Sequence, residues 1–561
     1  MKYLVLLICI HISYLGYSQT NYYVSPTGNN TNNGSLSSPW NTIQFSLNQL
    51  SNGDTLNLFS GTYNEKIQIP NDGIFLRNKQ GENPTIDATG INNQVSIVEI
   101  YDINIFTIEG IELQNNIMLD AQGIVVENNC QNITIKNCKI HDIHFSSNIN
   151  APVNATKNAQ GIIVYGTDGN NTITNLKILN NELYNCRLGY SEGIAVNGNV
   201  DGFEVSGNLV HDITNIGIDL IGFEGTSSNN TNDQARNGLI KNNIIYNCIS
   251  PYATSGGIYI DGGKDIVVEN NTAYHNGYGI EIGCENVGKT TDNITVRNNI
   301  FYDNEVSAMA FGGFDYPSGS GKVINSTFRN NTCYYNDFSN QGNGEMYLSY
   351  TENCIIENNI FYASTEGMAL YQDIASLNLS MNYNLYYTTT STLEFNLPNN
   401  VSYVGLTAFS QATGYENNSV SLNPNFVTPS ISSPDYHLQV TSPAINAGNP
   451  SYTVAAGETD MDNQNRAVGI IDCGADEYDL ASNINTVPDL SQIKIYPNPS
   501  KGIFYSTLKG NFTIQVFDIA GKLIFSSINN STVNLTSINS GVYFIKIKTV
   551  NTVYTTKLFK D

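Results

Sequence analysis

Residues 257–299 read GIYIDGGKDIVVENNTAYHNGYGIEIGCENVGKTTDNITVRNN and contain one phrase twice: a Gly-Ile strand, a second apolar strand and an Asn pair. Every second residue of each strand is apolar, as in Ile258 and Ile260, which is typical of a strand that buries one face. The phrase recurs through residues 161–373. A repeat of this length without a helical stripe predicts a solenoid of short strands, so we expect an all-β right-handed parallel β-helix.

The Asn pairs mark the register of the coils. They recur every 27 to 35 residues, with a Gly-Asn in one position: Asn180-Asn181, Gly207-Asn208, Asn242-Asn243, Asn270-Asn271, Asn298-Asn299, Asn330-Asn331 and Asn358-Asn359. Asn tolerates left-handed backbone angles, and stacked amides can hydrogen-bond from coil to coil. We therefore predict that these residues turn the chain between strands and form a ladder along the solenoid.

Composition and charge indicate which classes of binding partner are disfavoured. The 561 residues include 47 Gly and 35 Tyr but only 13% charged residues, as expected of a long, loop-rich β protein. The chain has 25 Lys plus Arg against 49 Asp plus Glu, a net charge of −24. Such a balance disfavours nucleic acid and anionic membranes as partners.

The N-terminus and the cysteines indicate where the protein works. Residues 1–18 combine a basic Lys2, a short apolar run and small residues before a cleavage point, which predicts a secretory signal peptide. No later stretch is long and apolar enough to predict a membrane span. One of the nine cysteines, Cys9, lies in the signal. Cys186 and Cys248 occupy matching positions two coils apart, too far for a bridge, so we expect mostly buried free thiols.

Residues 19–115 carry a recognisable N-terminal pattern. They open with YYVSPTGN at 22–29, continue through SPWNTI at 38–43 and reach GTYNE at 61–65. This pattern resembles the cap and first coils of secreted β-helix proteins, including pectate, alginate and chondroitin lyase relatives. The resemblance implies a capped solenoid whose further coils occupy residues 116–390. A short amphipathic helix after residue 38 would cover the open end of the core.

Two further regions follow the coils. Residues 391–478, with DYHL at 435–438 and IDCGADEY at 471–478, resemble the element that closes secreted bacterial β-helices, and His437 there is expected to be structural. A linker at 479–492 leads to residues 493–561, with IKIYPNPS, VFDIAGK and GVYFIKI in order. This last region is similar to the C-terminal sorting domain of the type IX secretion system. The resemblance implies export by that machinery to the medium or the cell surface; the strands alone predict a small β-sandwich.

One face of the predicted solenoid carries carboxylates. Aligning the Gly-Ile strands places these outward residues in one column: Ile163, Ala195, Asp219, Tyr259, Glu281, Ala310, Tyr347 and Ala369. Asp261 follows Tyr259 by two residues, in the next column. Asp219, Asp261 and Glu281 are thus expected on three consecutive coils of one exposed face, with Cα atoms about 5 to 10 Å apart. Tyr259 and Tyr165 would bind substrate by stacking on sugar rings.

The first interpretation of this face is a polysaccharide lyase that cleaves an acidic, uronate-containing chain, pectate-like or algal, by β-elimination. Ca²⁺ held by Asp219, Asp261 and Glu281 would neutralise a uronate carboxylate, and a neutral lysine would take the proton beside it. Asp261 and Glu281 are also candidate catalytic residues. The partners expected are a polysaccharide and the secretion machinery, and the protein is expected to be a monomer.

The loops after these strands supply the remaining candidates. Lys264 and Lys289 are the candidate bases, and Glu285 is a candidate substrate-binding residue beside Glu224. Residues 281–289 resemble the paired-acid-then-lysine pattern of chondroitinase B and alginate lyase relatives. The spacing of the acids differs from that pattern, and no downstream arginine matches the one those enzymes use.

Two other functions fit the same residues. In a glycoside hydrolase, Asp261 or Glu281 would protonate the leaving oxygen while the other, or Asp219, attacks the sugar or activates water; the expected separations suit retaining and inverting pairs. In a non-catalytic adhesin, the same aromatic and acidic face would bind a glycan without turnover. β-Helices host all three functions, so the fold alone does not choose among them.

Overall fold

The computed structural model describes residues 20–154, 156–390, 392–479, 495–506, 512–519, 521–528, 531–549 and 553–561. The chain divides into two compact units, Met1–Tyr478 and Asp479–Asp561. The predicted signal peptide at 1–18 lies outside the described residues, as does the predicted linker apart from Asp479.

The first unit is a parallel β-helix. One coil runs through Lys264–Glu269, turns at the Asn pair, passes through Thr272–Tyr274 and Tyr278–Gly283, and returns through a loop to Thr290–Arg297. Each strand pairs in parallel with its counterpart one coil away. Stacked coils therefore enclose one linear core, in which alternate residues of each strand are buried.

Within the described residues, the strands of the first unit form two large sheets, of fifteen and 24 strands. The first has fifteen strands: Asn21–Val24, Thr55–Leu58, Ile74–Asn78, Asn104–Glu109, Gln131–Lys136, Ile173–Leu179, Val200–Ser206, Arg236–Lys241, Lys264–Glu269, Thr290–Arg297, Lys322–Ile324, Thr327–Arg329, Thr351–Glu352, Ile355–Glu357 and Ser380–Asn382. The second, which bends around two sides of the coil, has 24: Gly61–Tyr63, Ile67–Gln68, Pro84–Asp87, Ser96–Tyr101, Glu112–Ile117, Ala121–Glu127, Lys139–His144, Ala159–Gly166, Glu182–Gly198, Leu209–Ile221, Ile244–Cys248, Gly256–Asp261, Thr272–Tyr274, Tyr278–Gly283, Ile300–Tyr302, Ser307–Phe311, Thr332–Tyr334, Met346–Leu348, Ile360–Ala363, Met368–Gln372, Leu385–Thr388, Glu394–Leu397, Val401–Val404 and Val420–Ser421.

The side of the second sheet built from the Gly-Ile strands is called the site face below. Its strands are Ala159–Gly166, the C-terminal parts of Glu182–Gly198 and Leu209–Ile221, Gly256–Asp261, Tyr278–Gly283, Ser307–Phe311, Met346–Leu348 and Met368–Gln372. The predicted column is confirmed from Ile163 to Tyr347. It is wrong at its last position, because Tyr371 and not Ala369 lies opposite Tyr347.

The asparagine ladder is confirmed. The first Asn of each pair has a positive φ, and the second is buried. The ladder runs through Asn181, Asn208, Asn243, Asn271, Asn299, Asn331, Asn359 and Asn384. At a typical position, Asn271 donates its backbone N–H and its side-chain Nδ2 to Oδ1 of Asn299, at 2.8 and 3.0 Å. Each amide therefore joins two coils.

The N-terminal cap is a short helix, Ile43–Leu47. Ile43 and Leu47 are fully buried, and the carboxylate of Glu65 accepts hydrogen bonds from the backbone N–H of Ile43 and Gln44 at 2.7 and 3.0 Å. These bonds satisfy donors that a helix N-terminus leaves unpaired. The predicted cap is thus present and fixed to the first coils.

The closing element contains the helix Leu406–Thr413 and the hairpin Phe426–Thr428 with Asp435–Leu438. Tyr436 packs against the coils through the rings of Tyr302 and Tyr334. All eight cysteines after Cys9 are free and buried, as expected.

His437 of the closing element contacts carboxylates through both ring nitrogens, Asp462 at 2.7 Å and Asp435 at 2.6 Å. These hydrogen bonds agree with the structural role expected for it. They raise the pKa of His437 to about 10, against about 6.5 in an unfolded chain. The folded state therefore binds the proton more tightly, and the stability that this gives is full below about pH 6.5 and is lost as the pH rises through 10.

We expect His437→Gln to lower the unfolding temperature at pH 6 and the difference from wild type to narrow as the pH rises past 10, because the wild-type imidazole loses its charge over that range. Thermal unfolding of both proteins across the range measures this. A difference that stays constant with pH would show that packing and not charge is lost.

The second unit consists of antiparallel strands. Three form one sheet, Ile495–Tyr496, Ile503–Ser506 and Thr532–Asn534, and four form another, Leu523–Ile528, Phe512–Phe517, Gly541–Thr549 and Val553–Lys560. Phe504 and Val533 from the first and Ile514, Val516 and Ile545 from the second are buried in one apolar cluster. The predicted small β-sandwich is confirmed.

Candidate functional site

Six carboxylates gather at the middle of the site face and are called the acid cluster: Glu192, Asp219, Glu224, Asp261, Glu281 and Glu285. Asp219 lies opposite Tyr259, which in turn lies opposite Glu281 on the next strand. Asp261 ends the strand that carries Tyr259. The three carboxylates predicted to share a face therefore do so, in the predicted register.

The site face is less exposed than the sequence predicts. Asp219 and Asp261 are only 3% and 4% exposed, whereas Glu281 is half-buried and Glu285 is exposed. Two loops, residues 222–235 and 284–289, come together beside Asp261. The backbone N–H of Glu285 donates to Oδ1 of Asp261 at 2.8 Å, and Asn286 Nδ2 donates to the exposed Glu224 at 2.6 Å.

Burial and mutual repulsion oppose ionisation of the acid cluster. Desolvation, with neighbouring acids as the second cause, raises the pKa of Asp219 and Asp261 well above the usual aspartate value. The same causes raise the pKa of Glu281 and of Glu192 to about 8. Among the described residues, no lysine, arginine or histidine forms an ion pair with any of the six. We therefore expect the acid cluster to bind protons or a cation, because no basic side chain among the described residues balances its negative charge.

Three members of the cluster could bind one metal ion together. Carboxylate oxygens of Glu224, Asp261 and Glu285 lie within 4.8 Å of one another. Of the ligands predicted from sequence, only Asp261 belongs to this group. Asp219 and Glu281 lie on the strands on either side of Tyr259, and the group of three does not include them.

Asp219 nevertheless has an unsatisfied atom. Its Oδ1 is buried and has no hydrogen-bond partner among the residues that the structure describes, and the same holds for Oδ1 of Asn197 on the preceding coil. Buried polar atoms are normally paired, so an orphaned carboxylate oxygen in a cluster of acids indicates a proton or a ligand that the protein alone does not supply.

The two candidate lysines lie in different places. Lys264 begins a strand of the first sheet, and its Nζ is 3.8 Å from Asp292 on the neighbouring strand of that sheet. Lys289 lies in the loop that carries Glu285, with its Nζ 4.9 Å from the centre of the Phe223 ring. Since Phe223 directly precedes Glu224, the structure brings Lys289 beside the acid cluster and leaves Lys264 in an ion pair elsewhere.

The predicted aromatic residues differ in accessibility. Tyr259 is 4% exposed, and its hydroxyl donates to Oε1 of Glu285 at 3.3 Å. It is therefore placed to orient that carboxylate more than to stack on a sugar. Tyr165 is half-buried on the same face and packs against the apolar cluster of Val125, Ile163, Ala195 and Ile221.

Sequence reasoning missed Glu192. It lies where the long strand Glu182–Gly198 enters the site face, next to an irregularity in the pairing register. Its position directly before Gly193-Ile194 was the available signal, since that dipeptide begins the repeated phrase. Alternation along the strand would turn the residue inward like Ile194, so the periodicity of the repeat does not assign it to the acid cluster.

Two family models match the chain. One, described as the right handed beta helix region, matches residues 160–334 and 233–428; the other, the secretion system C-terminal sorting domain, matches residues 494–561. The handedness of the solenoid and the type IX sorting domain are thus confirmed, and the protein is secreted or located at the cell surface. Within the described ranges, no helix has the length and apolar character needed to cross a bilayer.

The chain is also similar to individual proteins. Among solved structures, it is similar to pectate lyase Pel9A at 16% identity and a TM-score of 0.41, covering 83% of this chain and 98% of that one. The A-module of the Azotobacter vinelandii mannuronan C-5 epimerase AlgE6 matches at 13% identity and a TM-score of 0.47, covering 68% and 92%. Uncharacterized protein YwoF of Bacillus subtilis (strain 168) is 32% identical over 443 residues, which cover 75% of this chain and 91% of that protein. The chain therefore belongs to the family of right-handed β-helix proteins that includes YwoF.

Proposed function

We propose that the protein is a secreted polysaccharide lyase that cleaves a uronate-containing chain, pectate-like or algal, by β-elimination. The observation that carries the proposal is the group Glu224, Asp261 and Glu285, whose oxygens approach within 4.8 Å without a basic partner among the described residues. Oxygen ligands of this kind suit Ca²⁺. A cluster of acids alone would repel a uronate, so a bound cation is what makes an acidic substrate compatible with this face.

The donor set fits such an ion. Asp261 is held by the N–H of Glu285, and Glu285 by the hydroxyl of Tyr259, so two of the three ligands are oriented before any ion arrives. Ca²⁺ bound there would neutralise the uronate carboxylate and make the adjacent C–H more acidic.

Two side chains would carry out the two proton transfers of the elimination. Lys289 would take the proton from the carbon next to the carboxylate, while the glycosidic C–O bond at the neighbouring carbon breaks and a C=C bond forms. Glu281, whose pKa is raised to about 8, would be protonated at neutral pH and would give its proton to the leaving oxygen. No water is consumed, and the new chain end is unsaturated.

The decisive experiment incubates the purified protein with oligogalacturonates, oligoalginates and mixed uronate polysaccharides. A lyase generates ultraviolet absorbance from the unsaturated product, and the signal should disappear with a chelator and return with added Ca²⁺. New reducing ends without that absorbance would contradict elimination and indicate hydrolysis. Binding without any new chain ends would indicate an adhesin.

The two lysines provide a matched pair of variants. Lys289→Ala should reduce kcat at least about 100-fold, the usual contribution of a general base. Lys264→Ala removes a partly exposed ion pair with Asp292, so its loss should stay below about tenfold, in keeping with the small value of surface ion pairs. Initial rates at saturating substrate measure both. Equal losses in the two variants would exclude Lys289 as the base.

A glycoside hydrolase is the second candidate. Asp219 and Glu281 flank Tyr259 two strands apart, and their Cα separation of roughly 10 Å is compatible with an inverting pair, whose carboxyl groups stand about 6.5 to 9.5 Å apart. The raised pKa of Glu281 would suit a general acid there as well. Asp219, however, is only 3% exposed, which disfavours it as the group that activates water.

A further inference from the structure

A cavity of about 330 Å³ opens on the site face directly beside the acid cluster. Glu281 belongs to both. The cavity is also lined by Thr254, Tyr278, Phe314, Tyr347 and Ser349. Since Glu281, Ala310 and Tyr347 lie opposite one another on successive strands, the cavity extends about 10 Å along the solenoid axis from Glu281.

The shape of the cavity follows from residue size. Ala310 is small and lies between the larger Glu281 and Tyr347, and Gly312, two residues further along, has no side chain; together they leave a depression in the face. A Cβ on Gly312 would come within 2.6 Å of the carbonyl carbon of Ser349, so the close approach of these two coils requires glycine. The depression is therefore a feature of the backbone and not of one side-chain rotamer.

The floor and one wall of the cavity are fixed by hydrogen bonds. Tyr347 donates its hydroxyl to Oδ2 of Asp373 at 2.8 Å, and Ser349 donates to Oδ1 of the same carboxylate at 2.7 Å. Tyr278 packs against Ala310 and Tyr347. Phe314, by contrast, is 52% exposed at the rim, where its ring is accessible to a ligand in the cavity.

The charge of the cavity differs from that of the proposed cation site. Its lining contains no lysine, arginine or histidine within the part of the chain that the structure describes, and Glu281 is its one acidic residue. A uronate here would meet the carboxyl group of Glu281 and no cationic side chain among the described residues that line the cavity. An uncharged pyranose instead offers a C–H face for Phe314 and Tyr347 and hydroxyls for Glu281 and Thr254.

We propose that this cavity binds a neutral sugar unit while the acid cluster holds a uronate, so that the substrate is a heteropolysaccharide in which uncharged and uronate units are mixed. The part of the inference that places a uronate at the acid cluster rests on the proposed function. The inference adds the class of acidic polysaccharide that the protein prefers. It also identifies Phe314 and Tyr347 as residues that determine specificity.

Two oligosaccharide probes of equal length test the inference: rhamnogalacturonan oligosaccharides, in which galacturonate alternates with neutral rhamnose, and oligogalacturonates. Affinity is measured by calorimetry with Ca²⁺ on the Lys289→Ala protein, so that turnover is not needed. We expect at least tenfold tighter binding of the mixed oligosaccharide. Phe314→Ala should remove most of this preference, whereas Phe338→Ala, which alters an exposed ring outside the cavity lining, should not.

A charge substitution provides the converse test. Thr254 is exposed at the rim, so Thr254→Lys should fold normally and place an ammonium group beside the cavity. We expect this variant to bind oligogalacturonates at least tenfold more tightly than its parent. Equal affinity of the parent for both probes, together with no effect of Phe314→Ala, would overturn the neutral subsite. Absence of unsaturated product from the wild-type protein would instead overturn the lyase proposal and leave these binding results interpretable.

Discussion

Asp261→Asn is expected to abolish turnover and, in the absence of divalent cations, to make the protein more stable. The wild-type carboxyl is 4% exposed and lies among Glu285, Glu224 and Glu281, which all disfavour its charge. Asparagine keeps the shape and an oxygen that can accept the N–H of Glu285. The variant therefore loses the repulsion and the metal ligand, while it keeps the local hydrogen bond.

The difference in stability between Asp261→Asn and the wild type should depend on pH in a defined direction. The pKa of Asp261 is raised by folding above its unfolded value of about 3.9, so the stability of the wild-type protein falls as the pH rises above that value. Asp261→Asn removes this contribution. The gain in unfolding temperature from the substitution should therefore be small near about pH 4 and larger near about pH 8.

Calcium should reverse the order of stability. Ca²⁺ at about 100 times its dissociation constant stabilises a folded protein by about 2.7 kcal/mol, so it should raise the unfolding temperature of the wild type and leave Asp261→Asn unchanged. Asp265→Asn is the matched control, because Asp265 lies on the first sheet and accepts from Asn293. Activity in Asp261→Asn above about a tenth of wild type, or a wild type that no divalent cation stabilises, would contradict the proposed site.

The fold could be predicted because the repeated sequence specifies both the turns and the strands of each coil. Asn pairs such as Asn270-Asn271 mark a turn that needs one left-handed residue and one buried amide, and few other residues satisfy both demands. Alternation in strands such as Gly256–Asp261 then fixes which residues face outward. The register of the last coil was wrong because Gly367, with φ at +79°, forms a turn before its strand and is not equivalent to the strand glycine Gly279.

The site could be predicted only in part. Strand alternation placed Asp219, Asp261 and Glu281 together, since these positions depend on the repeat. The approach of Glu224 and Glu285 to Asp261 depends on two loops whose lengths do not follow the repeat, and on single hydrogen bonds such as that from Glu285 to Asp261. Burial of the predicted acids has the same origin, because it is the loops that cover them.

Asn271→Ala is expected to lower the free energy of unfolding by about 3 to 5 kcal/mol, a large loss of the kind that follows when a buried hydrogen-bond network is broken. Oδ1 of Asn271 accepts both the backbone N–H and the side-chain Nδ2 of Asn243, each at 2.9 Å. Its own Nδ2 donates to Ile240 and to Asn299. Alanine leaves buried donors and acceptors unpaired on two coils, at about 1 to 3 kcal/mol each.

Urea unfolding of the full-length protein measures the change. Asn325→Gly is the control: Asn325 is exposed with φ at +51°, which glycine adopts without strain, and the substitution should cost less than about 1 kcal/mol. Because each coil of a solenoid is stabilised mainly by its neighbours, the damage at Asn271 should spread to the adjacent coils. Hydrogen exchange should therefore show faster exchange at Asn243 and Asn299 than in wild type. Equal stability of the two variants would mean that strand pairing alone, without the amide ladder, holds the coils in register.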